Sequence, residues 1–373
     1  MKKLALLFLI TYLPSKFTFA QIAKIDSGNI NGASYKVLFP KNWKGKLVMF
    51  AHGYEFMGSQ KSSQKPDFEK QMSVYTSRGF AVAASDYKNQ GFALSQGIDD
   101  TEALRKYFFK KYGKPDSTFM VGRSMGGGVA VGTMENFGKY YHGGMPTCPL
   151  SSRPFIQNRR EFDKYAIFNG MMPGFLTPLS EIFDLSKPYT PQDSRNIPAK
   201  AAALKKAIFA KDSAFVVAFA KAFLIKIEDL PMSFFHNENV LRDIAKKSGG
   251  NPFDNTNTIY SGFPNDLMVN QKAERLAANV DNNAFVGKYD RTGNINKPTL
   301  ILHTIYDPLI PAQYAENNIE NMILKQGKAN NFTVKYTNGQ GHCRFTPAQL
   351  GQTFDELRVW VKTGVKAKAG YLE

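Results

Sequence analysis

Short apolar runs alternate with longer stretches of helical spacing at both ends of the chain, and the middle lacks that alternation. Tyr35 to Phe39 and Lys46 to Phe50 read as strands, parted by Pro40 and Gly45. Pro66 to Ser77 has helical spacing and stops at Arg78-Gly79, ahead of the buried-type strand Phe80 to Ser85. Asp99 to Tyr112 is helical again and closes at Gly113-Lys114-Pro115, before the apolar run Thr118 to Val121. The pattern resumes after Pro298, with strand Thr299 to Thr304, helix Ala312 to Gln326 and strand Phe332 to Tyr336. Thr346-Pro347 starts a last helix through Val361, and Gly364 ends it. Strands alternating with helices of this length predict a parallel sheet with right-handed crossovers.

Residues 151–297 are rich in Phe, Met and Ala and mostly helical in spacing. Phe215, Phe219 and Phe223 recur every four residues and share one helix face, which reads as the core of a helical unit rather than a substrate lining. At the other end of the chain, Lys2-Lys3, the apolar stretch Leu4 to Leu13 and Thr18-Phe19-Ala20 before Gln21 have the layout of a signal peptide. The apolar stretch is too short for a membrane span, although an uncleaved anchor is the competing reading. The expected layout is therefore a signal peptide at 1–20, a first core part at 21–150, a helical cap at 151–297 and a second core part at 298–373. The expected location is outside the cytoplasm, periplasmic or secreted.

Charge alters this picture little. The formal net charge is +17, but lysines outnumber arginines and are scattered. That describes a solvated surface more than a nucleic-acid groove. A bias toward anionic substrates or surfaces stays open. No zinc-type spacing or nucleotide loop occurs, so no metal and no cofactor is expected.

Candidate chemistry centres on Gly122-Arg123-Ser124-Met125-Gly126, which follows the run Thr118 to Val121 and precedes small, helix-compatible residues. A strand, G-x-S-x-G and a helix force the serine onto a strained turn with its hydroxyl clear of the backbone. The competing reading is a glycine-rich turn with an incidental serine. A serine nucleophile needs a base, and the base an orienting acid. In the strand–elbow–helix architecture these follow in the order Ser, acid, His. Asp307, in Tyr306-Asp307-Pro308, lies just past the strand Thr299 to Thr304. Only one histidine follows it, His342 in Gly341-His342-Cys343. The expected row is Ser124, Asp307 and His342. Ala51-His52-Gly53-Tyr54 ends a strand where an oxyanion-binding amide is needed. The expected donors are the backbone N–H groups of Tyr54 and Met125, with His52 structural.

On these segments the chain resembles the α/β-hydrolase superfamily of esterases, lipases and serine peptidases. The resemblance covers about Tyr35 to Leu150 and Pro298 to Gly364. It implies an α/β fold with a mostly parallel, eight-stranded sheet and a large, mainly helical cap inserted after the sixth strand, Gly143 to Thr147. In such a sheet the histidine loop folds back over the sixth and seventh strands. That would bring Cys343 above Cys148 and permit a disulfide, two buried free thiols being the alternative. Tannase and feruloyl esterase types join cysteines beside the serine and the histidine. Here the serine's neighbour is Arg123, which argues against that subgroup.

The function implied is a secreted serine hydrolase acting on carboxylic esters, small-molecule or polymer-attached, with a hydrophobic or aromatic acyl part. A serine peptidase of the prolyl aminopeptidase type is the alternative, and a non-catalytic binding protein on the same fold a more distant one. No nucleic acid and no membrane span are expected. Neither the natural substrate nor the oligomeric state is legible.

Overall fold

In a computed structural model describing residues 21–187, 197–210 and 213–372, nine strands form one sheet in the order β1-β2-β4-β3-β5-β6-β7-β8-β9. They are β1 (Ile22–Ile30), β2 (Ala33–Pro40), β3 (Lys46–Ala51), β4 (Phe80–Ser85), β5 (Ser117–Arg123), β6 (Gly143–Thr147), β7 (Thr299–Tyr306), β8 (Phe332–Gln340) and β9 (Gly370–Tyr371). β1 and β2 pair antiparallel, as do β2 and β4, and every later pairing is parallel. The expected count of eight is thus corrected to nine by the two-residue edge strand β9. The signal-peptide reading of 1–20 lies outside the described residues. Among those described, no helix is long and apolar enough to cross a membrane.

Among the described residues, eleven α-helices accompany the sheet: α1 (Phe68–Thr76), α2 (Leu94–Tyr112), α3 (Met125–Phe137), α4 (Pro154–Met171), α5 (Leu179–Ile182), α6 (Ile197–Ala210), α7 (Ser213–Ala222), α8 (Leu230–Ser248), α9 (Asp266–Lys272), α10 (Ala312–Lys325) and α11 (Pro347–Thr363). Successive strand residues face opposite sides, so β3 feeds two cores. Val48 and Phe50 join the α1 and α11 face with Phe68, Met72, Phe354 and Trp360. Leu47, Met49 and Ala51 join the α2 and α3 face with Ile98, Phe108 and Val129. α11 has the caps its sequence calls for: Thr346 and Gln349 form a reciprocal capping box, and Gly364 adopts the left-handed C-terminal conformation.

Helices α4 to α9 all lie between β6 and β7 in the chain. Their interior is continuous with the α2 and α3 face, since Phe162, Phe168, Phe219 and Phe234 belong to the same buried cluster as Leu94 and Val129. Phe215, Phe219 and Phe223 are all buried, with successive ring centroids 5.7 and 4.8 Å apart. The aromatic stripe is core.

Candidate active site

β5 is the middle strand of the sheet, and the chain turns sharply at its end. Ser124 has φ 59° and ψ −124°, a conformation L-residues avoid, and α3 starts at the next residue. Three backbone hydrogen bonds hold the turn. Ser124 N–H donates to the Thr147 carbonyl at 2.9 Å, and its own carbonyl accepts from Gly128 N–H at 3.1 Å and Leu150 N–H at 3.3 Å. A Cβ on Gly122 would collide with the Gly126 carbonyl, and one on Gly126 with the carbonyls of Ala51 and His52. Both glycines of the pentapeptide are therefore steric requirements. This turn, at the end of the central parallel strand of a sheet so ordered, decides the architecture. This is the α/β-hydrolase fold.

Within the hydrolase fold, the loops after β7 and β8 close over the turn. Ser124 Oγ lies 2.7 Å from His342 Nε2, and His342 Nδ1 lies 2.7 Å from Asp307 Oδ2. The other oxygen of Asp307 accepts from the N–H groups of Leu309 and Ile310, both at 2.9 Å. Burial raises the Asp307 pKa, but contacts with His303 and His342 outweigh that and hold it well below the usual carboxylate range.

His303, on β7, was not singled out by the sequence. It is fully buried, with Nδ1 2.7 Å from Glu316 Oε1, Nε2 3.0 Å from the Ile310 carbonyl, and Nε2 3.6 Å from Asp307 Oδ2. Desolvation opposes its protonation, yet the two carboxylates raise its pKa to about 9. It is a buried imidazolium behind the acid. Its signal is a histidine directly after the apolar run Leu300-Ile301-Leu302, inside the strand and four residues before Asp307.

Tyr54 and Met125 both border the cavity beside Ser124. Met125 is the first residue of α3, so its N–H belongs to the unpaired donors of a helix start. Gly53 packs against the serine, a Cβ there falling 3.2 Å from Ser124 Cβ. His52 stacks on Tyr87 with ring centroids 4.0 Å apart, and its Nδ1 lies 2.7 Å from the Gly53 carbonyl, which fixes the loop. The Tyr54 hydroxyl donates to Asp243 Oδ2 at 2.6 Å, and Phe92 N–H donates to the same oxygen at 3.1 Å. Helix α8 is thereby tied to the loop carrying the Tyr54 amide. His236, also on α8, borders the same cavity; burial and the nearby His342 lower its pKa to about 4.

The cavity under the insertion is small, about 40 Å³. Gln157, Asn158, Glu161 and Asn237 form its polar wall, and Val240 and Leu309 part of its apolar one. Glu161 is engaged by Arg160 Nη1 at 2.7 Å and by contacts from Lys164 and Asn237. A more apolar hollow of about 280 Å³ lies beyond His342, among Phe56, Met232, Phe235 and Pro308. Cys148, at the end of β6, is bonded to Cys343, with Cα atoms 5.4 Å apart.

No family model matches the chain, and no curated protein does. Among solved structures, the Pyrococcus furiosus esterase Pf2001 aligns at 14% identity and TM-score 0.49, over 94% of each chain. Est1E from Butyrivibrio proteoclasticus aligns at 14% identity and TM-score 0.42, over 91% of this chain and 98% of its own. The Pyrococcus horikoshii acylaminoacyl peptidase aligns at 11% identity and TM-score 0.44, over 93% of this chain and 42% of its own. Likenesses this remote carry no argument; the sheet order and the turn at Ser124 do.

Proposed function

We propose that the protein is an exported serine hydrolase that cleaves carboxylic esters through an acyl-enzyme on Ser124. The observation that carries this reading is the unbroken hydrogen-bonded row from Ser124 through His342 to Asp307, with the serine on a strained turn. His342 Nε2 takes the serine proton as Oγ attacks the ester carbonyl. The oxyanion that forms faces the N–H groups of Tyr54 and Met125, each such donor supplying roughly 3 kcal/mol to the transition state. His342 then gives its proton to the departing alcohol, and a water repeats the sequence to free the acid. Asp307 holds the imidazole tautomer and stabilises the imidazolium.

Size and polarity of the hollows refine the substrate. A cavity of about 40 Å³ holds on the order of three water-sized groups, which, within the expected hydrophobic or aromatic acyl parts, suits a short one. Its amide wall favours an acyl part with a hydroxyl or carbonyl, and the apolar hollow beside His342 suits the alcohol. Residues 151–297 act as the cap that shapes both. A peptidase taking a free amino terminus needs an unpaired acid in the cavity, and Glu161 is already matched by Arg160 and Lys164. The intact row speaks against a purely binding role. The Cys148–Cys343 bridge suits an oxidising compartment and supports export.

A panel of 4-nitrophenyl esters of rising acyl length, run beside aminoacyl nitroanilides, tests this. The expected result is turnover of acetate to butyrate, decline toward octanoate, and no release from the anilides. A fluorophosphonate should label Ser124; labelling of a different serine in peptide mapping overturns the assignment.

A further inference from the structure

A third opening shares Tyr54, Ser124 and His342 with the site and leads outward past residues the reading above does not use. It is a hollow of about 310 Å³ that runs outward past Gly53 and Tyr54 to Ser62, Lys65 and Gln71. Two cations border it, Arg123 and Lys65. Arg123 immediately precedes the nucleophile, and both it and Lys65 are exposed. A guanidinium carries five N–H donors in a planar fork. The hydrogen bond Arg123 makes runs from Nη2 to the Cys343 carbonyl at 3.4 Å, the long end of the range.

Several arginines of the molecule pair with a carboxylate, whereas Arg275 and Arg291 are held by carbonyl and amide oxygens of the chain. Arg78 pairs with Asp355, Arg105 with Glu102, Arg153 with Asp290 and Arg242 with Glu238. Among the described residues no carboxylate lies within ion-pair distance of Arg123 or Lys65. The acids on the same loops are held elsewhere. Glu55 faces His52 Nδ1 at 3.5 Å, and Asp86 accepts from Ser63 N–H, Ser63 Oγ and Ser34 Oγ. An exposed guanidinium with no carboxylate of the chain beside it thus borders an open hollow together with an exposed ammonium.

We propose that this hollow is an anion subsite, in which Arg123 and Lys65 bind a carboxylate, or a compact anion like it, carried by the substrate. The proposal rests on the serine-hydrolase reading for the word substrate; anion binding does not depend on it. Arg123 offers a bidentate fork to a planar carboxylate, and Lys65 adds a mobile point charge at the rim. The strongly positive chain steers anions to the opening.

The anion can sit on either side of the scissile bond, and matched esters separate the two. 4-Nitrophenyl hydrogen succinate against 4-nitrophenyl butyrate places it on the acyl part. 4-Acetoxybenzoate against phenyl acetate places it on the leaving part. In one pair, the anionic ester should show a roughly tenfold higher kcat/KM at low salt, expressed in KM, and high salt should erase the advantage. Lys65→Gln and Arg123→Gln should each reduce that ratio several-fold. In parallel, succinate and 4-hydroxybenzoate are titrated calorimetrically onto Ser124→Ala protein with and without Lys65→Gln, an exposed change that does not touch the turn. Turnover of both members of each pair at equal KM, with no heat from either anion, overturns the subsite and leaves the hydrolase reading standing. Lys65-dependent binding of an anion without turnover of any ester upholds the subsite and overturns the hydrolase reading.

Discussion

From β3 to β7, the buried positions of the sheet hold apolar residues, glycines, a proline and hydroxyls, with His303 the one ionisable exception among the described residues. In the helical insertion, Glu161, Lys164, Asn237, Glu238 and Asp243 are all buried, and most touch one another or Arg160 and Arg242. Backbone ladders fix the sheet's register without help from polar side chains. Helices laid side by side have no such ladder, and their apolar faces allow many rotations. Buried ion pairs add little net stability, but an unmatched charge is costly, so they penalise every wrong register. We take the polar interior of the insertion to define the cavity wall, as the ladders define Ser124, Asp307 and His342. Chemistry and cavity shape are then separable by mutation.

The sharpest test sets one change in each region side by side. Ser124→Ala should lower kcat by about 10⁵- to 10⁶-fold, with Tm moving by about 2 °C or less. Lys164→Met should do the reverse. It strips Glu161 of a buried partner and should cost on the order of 3–5 kcal/mol in urea unfolding, while kcat of the folded protein stays within a few-fold. Adding Glu161→Gln to Lys164→Met should return much of the loss. A Lys164→Met protein of normal stability breaks the comparison.

The exception in the sheet makes a prediction in pH. His303 has its folded pKa raised to about 9 from an unfolded value of about 6.5. Its contribution is therefore fully present below about pH 6.5 and is lost as pH rises through about 9. Asp307, depressed in the fold, contributes in the opposite sense, losing its share as pH falls below the ordinary carboxylate range. Wild-type stability, read from urea melts, should decline by a few kcal/mol between about pH 6.5 and 9, and His303→Gln should flatten that decline. The smallest effect is expected where the two regions meet. Tyr54→Phe removes the hydroxyl from Asp243 and should cost about 1–2 kcal/mol, with a several-fold fall in kcat/KM as the Tyr54 amide loosens. No change in kcat/KM would show that α8 does not steady that loop.

These regions also differ in how far they can be read ahead of time. Gly122 and Gly126 are required by backbone contacts a few residues away, so the turn announces itself. Asp307 and His342 follow because loops after particular strands have few candidates. β1 carries no alternating pattern because its residues are largely exposed, with partial burial recurring every fourth position rather than every second. Glu316 falls within the helical spacing Ala312 to Gln326, and its pairing with His303 depends on how α10 packs beside β7. The contact between Tyr54 and Asp243 spans 189 residues, and no local pattern encodes it. Arg123 reads in the sequence only as a neighbour of Ser124 that is not cysteine, because an absent partner is visible only in three dimensions.

The bond between Cys148 and Cys343 joins positions 195 residues apart. The whole insertion, β7, α10 and β8 therefore lie on one closed covalent ring. A protease that cuts once inside that ring opens it without releasing a fragment. Nicked protein would migrate as a single species until a thiol reagent parts it in two, and the serine and histidine would stay tethered across the break. The ring also cannot close during synthesis until the last of those elements has been made, so the crosslink records a completed fold rather than guiding an early one.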